Sequence, residues 1–130
     1  MTASILIADD NTDTRELLRL MLESGGYVVR EVLNGRECVI AALSQPPDLA
    51  LIDLSMPVLD GWETLHELRT DESTRAIPCV AVTAFAADSD RQRALEAGFN
   101  AYLSKPFYAK ELLEMVKRLL AERAKSQIMT

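Results

Sequence analysis

Three aspartates, a threonine and a lysine stand just past the ends of short apolar runs, and they carry the chemistry open to this chain. Ile5-Leu6-Ile7-Ala8 runs into Asp9-Asp10, Leu49-Ala50-Leu51-Ile52 into Asp53, and Cys79-Val80-Ala81-Val82 into Thr83. Ala101-Tyr102-Leu103 leads through Ser104 to Lys105 and Pro106. Neighbouring carboxylates repel one another and resist ionisation unless a cation sits among them. With oxygen ligands only, that cation is a hard one. Mg²⁺ (or Mn²⁺) suits a few carboxylates completed by water and a phosphoryl oxygen. A lysine opposite neutralises a phosphoryl oxygen as a mobile point charge, and a threonine hydroxyl donates to another. Such a set favours phosphoryl transfer to a carboxylate, where catalysis is positioning and charge neutralisation. Taken singly, an Asp after a strand is ordinarily a cap or a turn former. The coincidence of several strand ends, each supplying a group that one reaction needs, separates the set from that reading.

For these residues to meet, the apolar runs must be neighbouring strands of one sheet. The remaining strand segment, Tyr27-Val28-Val29 with Val32, follows Gly25-Gly26. Most of the runs are continuous rather than alternating, as in parallel strands covered on both faces. Helical segments alternate with them. Asp13 with Glu16 resembles a capping pair ahead of a stripe of Leu17, Leu18, Met21 and Leu22, and Gly25 supplies the stop. Asn34 caps a helix from Gly35 to about Leu43, which Pro46-Pro47 ends. Asp60 and Glu63 open a third helix through Leu65 and Leu68, and Ser89 with Gln92 opens a fourth that closes at Gly98. Leu112, Leu113, Val116, Leu119 and Leu120 share one face of the last, with a short polar tail expected from about Ala121. This repetition predicts an α/β doubly wound parallel sheet with right-handed crossovers. In such a sheet functional groups collect beyond the carboxyl ends of the strands.

The 130 residues suit one domain, with a core from about residue 4 to 121. A net charge of −6 argues against a nucleic-acid surface. Cys38 and Cys79 lack metal-ligand spacing and are expected as reduced core thiols. MTASILIADD lacks the basic region and long apolar stretch of a secretory signal. No apolar run approaches the roughly 20 residues of a membrane span. A cytoplasmic protein with neither nucleic acid nor membrane as partner is expected.

The motifs ILIADD, LALIDLSMPVLDGWE, CVAVTAFA and GFNAYLSKPF together resemble the receiver domain of bacterial two-component response regulators, over essentially the whole chain. The resemblance implies a stand-alone, chemotaxis-receiver-like protein with a flavodoxin-like five-stranded sheet in the order 2-1-3-4-5 and five helices. It implies that Asp53 accepts the phosphoryl group, that Asp10 binds Mg²⁺ directly and Asp9 largely through water, and that Ser55 lends its backbone carbonyl. Thr83 would swing its hydroxyl to the phosphoryl group, which the Ala84 amide also contacts. Lys105 would bridge phosphoryl and carboxylate oxygens, ahead of a cis Lys105-Pro106 bond. Tyr102 falls at the family's aromatic switch position, whose ring moves inward as Thr83 shifts. The implied donor is a sensor histidine kinase or a histidine phosphotransfer protein. The implied output is a downstream protein target bound through the helix 4–strand 5–helix 5 face, or onward relay of the phosphate. The chain would be a monomer or a weak phosphorylation-dependent dimer, and would catalyse only its own phosphorylation and slow dephosphorylation.

Two positions depart from the chemotaxis member: Ser55 stands where that member has an amide, and Phe85 where it has an acid. In the family these positions tune hydrolysis of the acyl phosphate, and an aromatic there implies a longer-lived phosphorylated state. Gly61 suits a close backbone approach where the loop from Asp53 meets its helix, and Met56-Pro57 fixes an extended turn. Phe99, Phe107 and Tyr108 lie near the switch face, where a docking patch and helix–sheet packing are both open. His66 is expected as a solvated surface residue and Trp62 as a packing residue. Two other classes compete. A phosphorylation-independent pseudo-receiver would not need the full acidic set with Thr83 and Lys105. A flavodoxin-like enzyme or an aspartyl phosphatase would need a Ser/Thr-rich loop where Asp9-Asp10 stand, or a second catalytic Asp where Ser55 stands.

Overall fold

Strand runs with apolar residues on both faces must be covered on both faces, and the fold does this with helices on either side. The computed structural model describes residues 2–84 and 88–129. Its strands are β1 (Ser4–Ala8), β2 (Val28–Val32), β3 (Leu49–Asp53), β4 (Cys79–Thr83) and β5 (Ala101–Ser104). Between and after them run α1 (Thr12–Ser24), α2 (Gly35–Ser44), α3 (Gly61–Thr70), α4 (Asp88–Ala97) and α5 (Ala109–Met129). The strands pair in parallel in the order β2-β1-β3-β4-β5, as the resemblance implied.

The pleat divides the core in two. Leu6, Ala8, Ala50, Ile52, Cys79 and Ala81 point to one side, where they pack with Cys38 of α2, Leu65 and Leu68 of α3 and Ala94 of α4. Their strand neighbours Ile5, Ile7, Leu49, Leu51, Val80 and Val82 point to the other, onto Leu18 and Leu22 of α1 and Leu112, Val116 and Leu119 of α5. Both thiols are free and buried. Burial raises the Cys38 thiol to about 12 and the Cys79 thiol to about 11, so both stay protonated. Among the described residues no helix is long and apolar enough to cross a membrane.

Two helix starts follow the side-chain capping expected and two do not: α4 already includes Asp88, so Ser89 lies inside it rather than at its cap. Asn34 accepts from Glu37 N and Asp60 from Glu63 N, each at 2.9 Å, as the spacing predicts. The first helix is capped by Asn11 rather than Asp13: Asn11 is extended and its amide oxygen accepts from Thr14 N at 2.9 Å. Asp13 lies inside the first turn instead, where its charge meets the positive end of the helix dipole. Leu18 and Leu22 are buried but Leu17 is largely exposed, so the buried stripe is narrower than the pattern suggested. The tail expected to follow residue 121 is continuous with α5 to Met129. The alanines, glutamate, arginine and lysine of 121–125 are strong helix formers, and Arg123 of that stretch donates to the Asp48 carbonyl at 2.8 Å.

Two glycines have no room for a side chain. At Gly61 a Cβ would stand 2.6 Å from the Asp53 carbonyl oxygen and 2.7 Å from Leu54 Cα, the close approach expected there. At Gly35 it would collide with Thr64 Oγ1 and the Leu59 carbonyl, a constraint on α2 against α3 that the sequence pattern did not reveal.

Candidate functional site

β1, β3 and β4 end at nearly the same level: Ala8 pairs with Ile52, and Asp53 with Val82. Asp9, one past the end of β1, therefore lies level with Asp53, the last residue of β3, at the same crevice. Asp9 and Asp53 are both buried, at 1% and 6% exposure, whereas Asp10 is exposed. Carboxylate oxygens of Asp9, Asp10 and Asp53 lie within 4.8 Å of one another. Lys105 Nζ stands 3.6 Å from Asp9 Oδ2, brought there because its own N–H donates to the Thr83 carbonyl at 2.8 Å as β5 ends. The Lys105-Pro106 bond is cis, as expected.

Each buried acid is held from one side and left open on the other. Asp9 Oδ1 accepts from Asn11 N at 2.8 Å, and its backbone carbonyl accepts from Arg15 Nη1 at 2.8 Å. Asp9 Oδ2, by contrast, is buried with no hydrogen-bond partner among the described residues. Such an atom ordinarily has a reason, an ion among them. Asp53 Oδ1 accepts from Ser55 N at 3.0 Å. Burial is the main cause that pushes the Asp53 carboxyl up to about 6; Asp9 and Asp10 add to it, while the Ser55 N–H and Lys105 oppose it. A cation among these oxygens would satisfy Asp9 Oδ2 and offset the repulsion on Asp53. The donor set thus fits Mg²⁺ or Mn²⁺.

Thr83 and Tyr102 lie on the opposite side of the pleat from Asp53. Ala81 faces the α2–α4 side and pairs with Tyr102, so Thr83, two residues on, shares that side. Thr83 is buried; Tyr102 is half-buried and packs against the same core. The Tyr102 phenol is raised, first by burial and then by the Asp90 carboxylate, while its hydrogen bond with Thr83 works the other way. The switch pair expected from the sequence is therefore in contact. Ala84 and Ser55 are exposed at the mouth, and Phe85 lies outside the described residues.

The remaining candidates separate. Phe99 and Phe107 are core residues, and only Tyr108 of that trio is exposed, at 69%. His66 is exposed on α3. Trp62 packs edge-on to Phe99, with centroids 5.9 Å apart. Sequence reasoning missed Arg15, which holds the Asp9 backbone and pairs with Glu31 at 3.5 Å, because an arginine in a charged helix face gives no signal. It also missed Val58, whose φ of 70° is unusual for a β-branched residue.

Comparison with known proteins agrees with this geometry. Residues 5–117 match the response regulator receiver domain, and the chain belongs to that family. The polar-differentiation response regulator DivK of Brucella ovis is 37% identical over 122 residues, which span 94% of this chain and 99% of the relative. A solved receiver domain of the sensor histidine kinase PA1611 from Pseudomonas aeruginosa PAO1 is 38% identical with a TM-score of 0.86, covering 93% of this chain and 99% of that one. That structure has a magnesium ion coordinated in its active-site cleft. The chemotaxis protein CheY4 of Vibrio cholerae is 27% identical with a TM-score of 0.85, covering 92% and 99%.

Proposed function

We propose that this chain is a phosphorylation-operated switch: Asp53 takes a phosphoryl group in a Mg²⁺-dependent reaction, and the face around Tyr102 changes its affinity for a protein partner. The observation that supports it best is the buried Asp9 Oδ2, which has no hydrogen bond among the described residues, is set among two further carboxylates and pairs with Lys105 at 3.6 Å. A solvated turn or cap would leave no acid in that condition. Asp9, Asp10, Asp53 and the Ser55 carbonyl would hold the ion, which supplies charge neutralisation between carboxylates and phosphoryl oxygens.

The protein groups do the rest. Asp53 is the nucleophile; the Ser55 N–H fixes one of its oxygens and leaves the other to attack. Lys105 neutralises a phosphoryl oxygen. The Thr83 hydroxyl and Ala84 N–H turn to the phosphoryl group, and the loss of the Thr83–Tyr102 hydrogen bond lets the ring move. The donor is the phosphohistidine of a sensor kinase or phosphotransfer protein, and the output is a cytoplasmic protein target or onward relay. The protein acts on itself and turns over no separate substrate. Ser55 and Phe85 lengthen the phosphorylated state; a phospho-Asp53 half-life of seconds in Mg²⁺ buffer would remove that part of the reading.

The test is intact-mass measurement after incubation with acetyl phosphate or phosphoramidate. A gain of one phosphoryl group is expected with Mg²⁺, and it should vanish in EDTA and in Asp53→Asn. No gain with any donor would mean a receiver that works without phosphorylation.

A further inference from the structure

Beside the acceptor crevice lies a small pocket of about 120 Å³, lined among the described residues by Leu54, Ser55, Trp62, Thr83, Asp90 and Arg93. Ser55, whose N–H donates to Asp53 Oδ1 at 3.0 Å, connects it to the acceptor. Arg93 projects from α4, and its guanidinium carbon sits 4.5 Å from the centroid of the Trp62 ring. A guanidinium in that position is attracted by the ring face yet keeps its N–H edge free for an anion. Trp62 is in turn fixed by the edge contact with Phe99. α4 itself is thinly packed: Ala94 is its one buried residue among the described side chains. The Trp62–Arg93 stack is therefore what holds a mobile, rotamer-rich cation at the mouth of the site.

Resting on the phosphoryl-acceptor reading, we propose that Arg93 binds the departing carboxylate when Asp53 is phosphorylated by a small acyl phosphate. An oxygen of Asp53 bonds to phosphorus, and the bond from phosphorus to the acyl oxygen breaks. The carboxylate leaves with the electron pair, and no proton moves. In a loose transition state that leaving oxygen already carries much of its negative charge. A fixed guanidinium aimed at developing charge accelerates the step, because the interaction is stronger there than in the ground state. Phosphoramidate provides the contrast: its nitrogen already bears the proton, so ammonia leaves neutral and draws nothing from Arg93. Asp90 lies on the same wall and repels the same carboxylate.

The experiment compares rates of Asp53 phosphorylation by acetyl phosphate and by phosphoramidate, in saturating Mg²⁺, followed by Trp62 fluorescence and checked by intact mass. Arg93→Gln should lower the acetyl phosphate to phosphoramidate rate ratio by about five-fold, the size expected for one partly exposed charge contact. Arg93→Lys should restore part of it, and Asp90→Asn should raise it above the wild-type value. An unchanged ratio in Arg93→Gln, or equal losses with both donors, would overturn the proposal. If neither donor phosphorylates the wild-type protein, the acceptor reading itself fails, a result distinct from any shift in the ratio.

Discussion

The two ends of the sheet are built on opposite terms. At the amino end, most polar groups are bound several times over, although Arg123 Nε is buried there without a hydrogen bond. Arg69 donates to the carbonyls of Arg75, Ile77 and Gly98 at 3.1, 2.8 and 3.1 Å and to Asn100 Oδ1 at 3.0 Å. The same Asn100 oxygen accepts from Cys79 N at 2.9 Å, and Asp48 Oδ2 accepts from Ser4 N at 2.7 Å. At the carboxyl end, three carboxylates crowd together and one buried oxygen has no hydrogen bond. One end holds the loops and strand starts in a single geometry; the other stores an electrostatic debt that only a cation or a proton can relieve.

This contrast can be broken most sharply at Asp53. Asp53→Asn should abolish phosphorylation and yet stabilise the metal-free fold, because a buried carboxyl raised from 3.8 to about 6 loses up to about 3 kcal/mol at neutral pH. The pH dependence follows from the sign. Between about pH 4 and 6 the folded protein holds a proton on Asp53 that the unfolded chain has released. Metal-free stability should thus fall as pH rises through that window and level off above it. Chemical denaturation of both proteins in chelator at pH 4, 5, 6 and 7 checks this, and parallel profiles would count against it.

At the other end, Arg69→Ala should cost about 2 kcal/mol, since it leaves the part-buried Ile77 and Gly98 carbonyls unpaired. The variant should still take up phosphate at temperatures where it is folded. A loss of phosphorylation with stability intact would erase the distinction between the ends.

Adding Mg²⁺ should raise stability by about 2.7 kcal/mol at a hundredfold excess over its dissociation constant, and by far less in Asp10→Asn. Thermal melts across a Mg²⁺ titration read this directly. The smallest effect is expected at Val58, where Leu59 N donates to the Pro57 carbonyl at 2.8 Å across a residue with φ of 70°. That three-residue turn is strained for a β-branched side chain, and Val58 is 78% exposed, so little packing is lost on replacement. Val58→Gly should gain about 0.5–1 kcal/mol.

Most of the strand and helix plan was legible because continuous apolar runs and Asx caps are local signals. The acidic set was legible because two strand ends delivered three aspartates, and two more supplied Thr83 and Lys105. What escaped was set by contacts distant in sequence. Asn11 capped α1 because Asp9 Oδ1 holds its N–H, which leaves the Asp13–Glu16 spacing without a role. Gly35 is required by Thr64 and Leu59, residues of a different helix and loop. Arg93 matters only because folding brings Trp62 beneath it. The stretch from about Ala121 read as a polar tail because it lacks an apolar stripe, yet propensity and the anchor at Arg123 carry the helix through it.

The pleat places Asp9 and Asp53 toward the α1–α5 side and Thr83 with Tyr102 toward the α2–α4 side. In circuit terms, the proposed input at Asp53 and the proposed output at Tyr102 are wired to opposite layers of one board, with Thr83 at the end of β4 between them. On that proposal the sheet acts as an insulator, and Thr83 as a via through it.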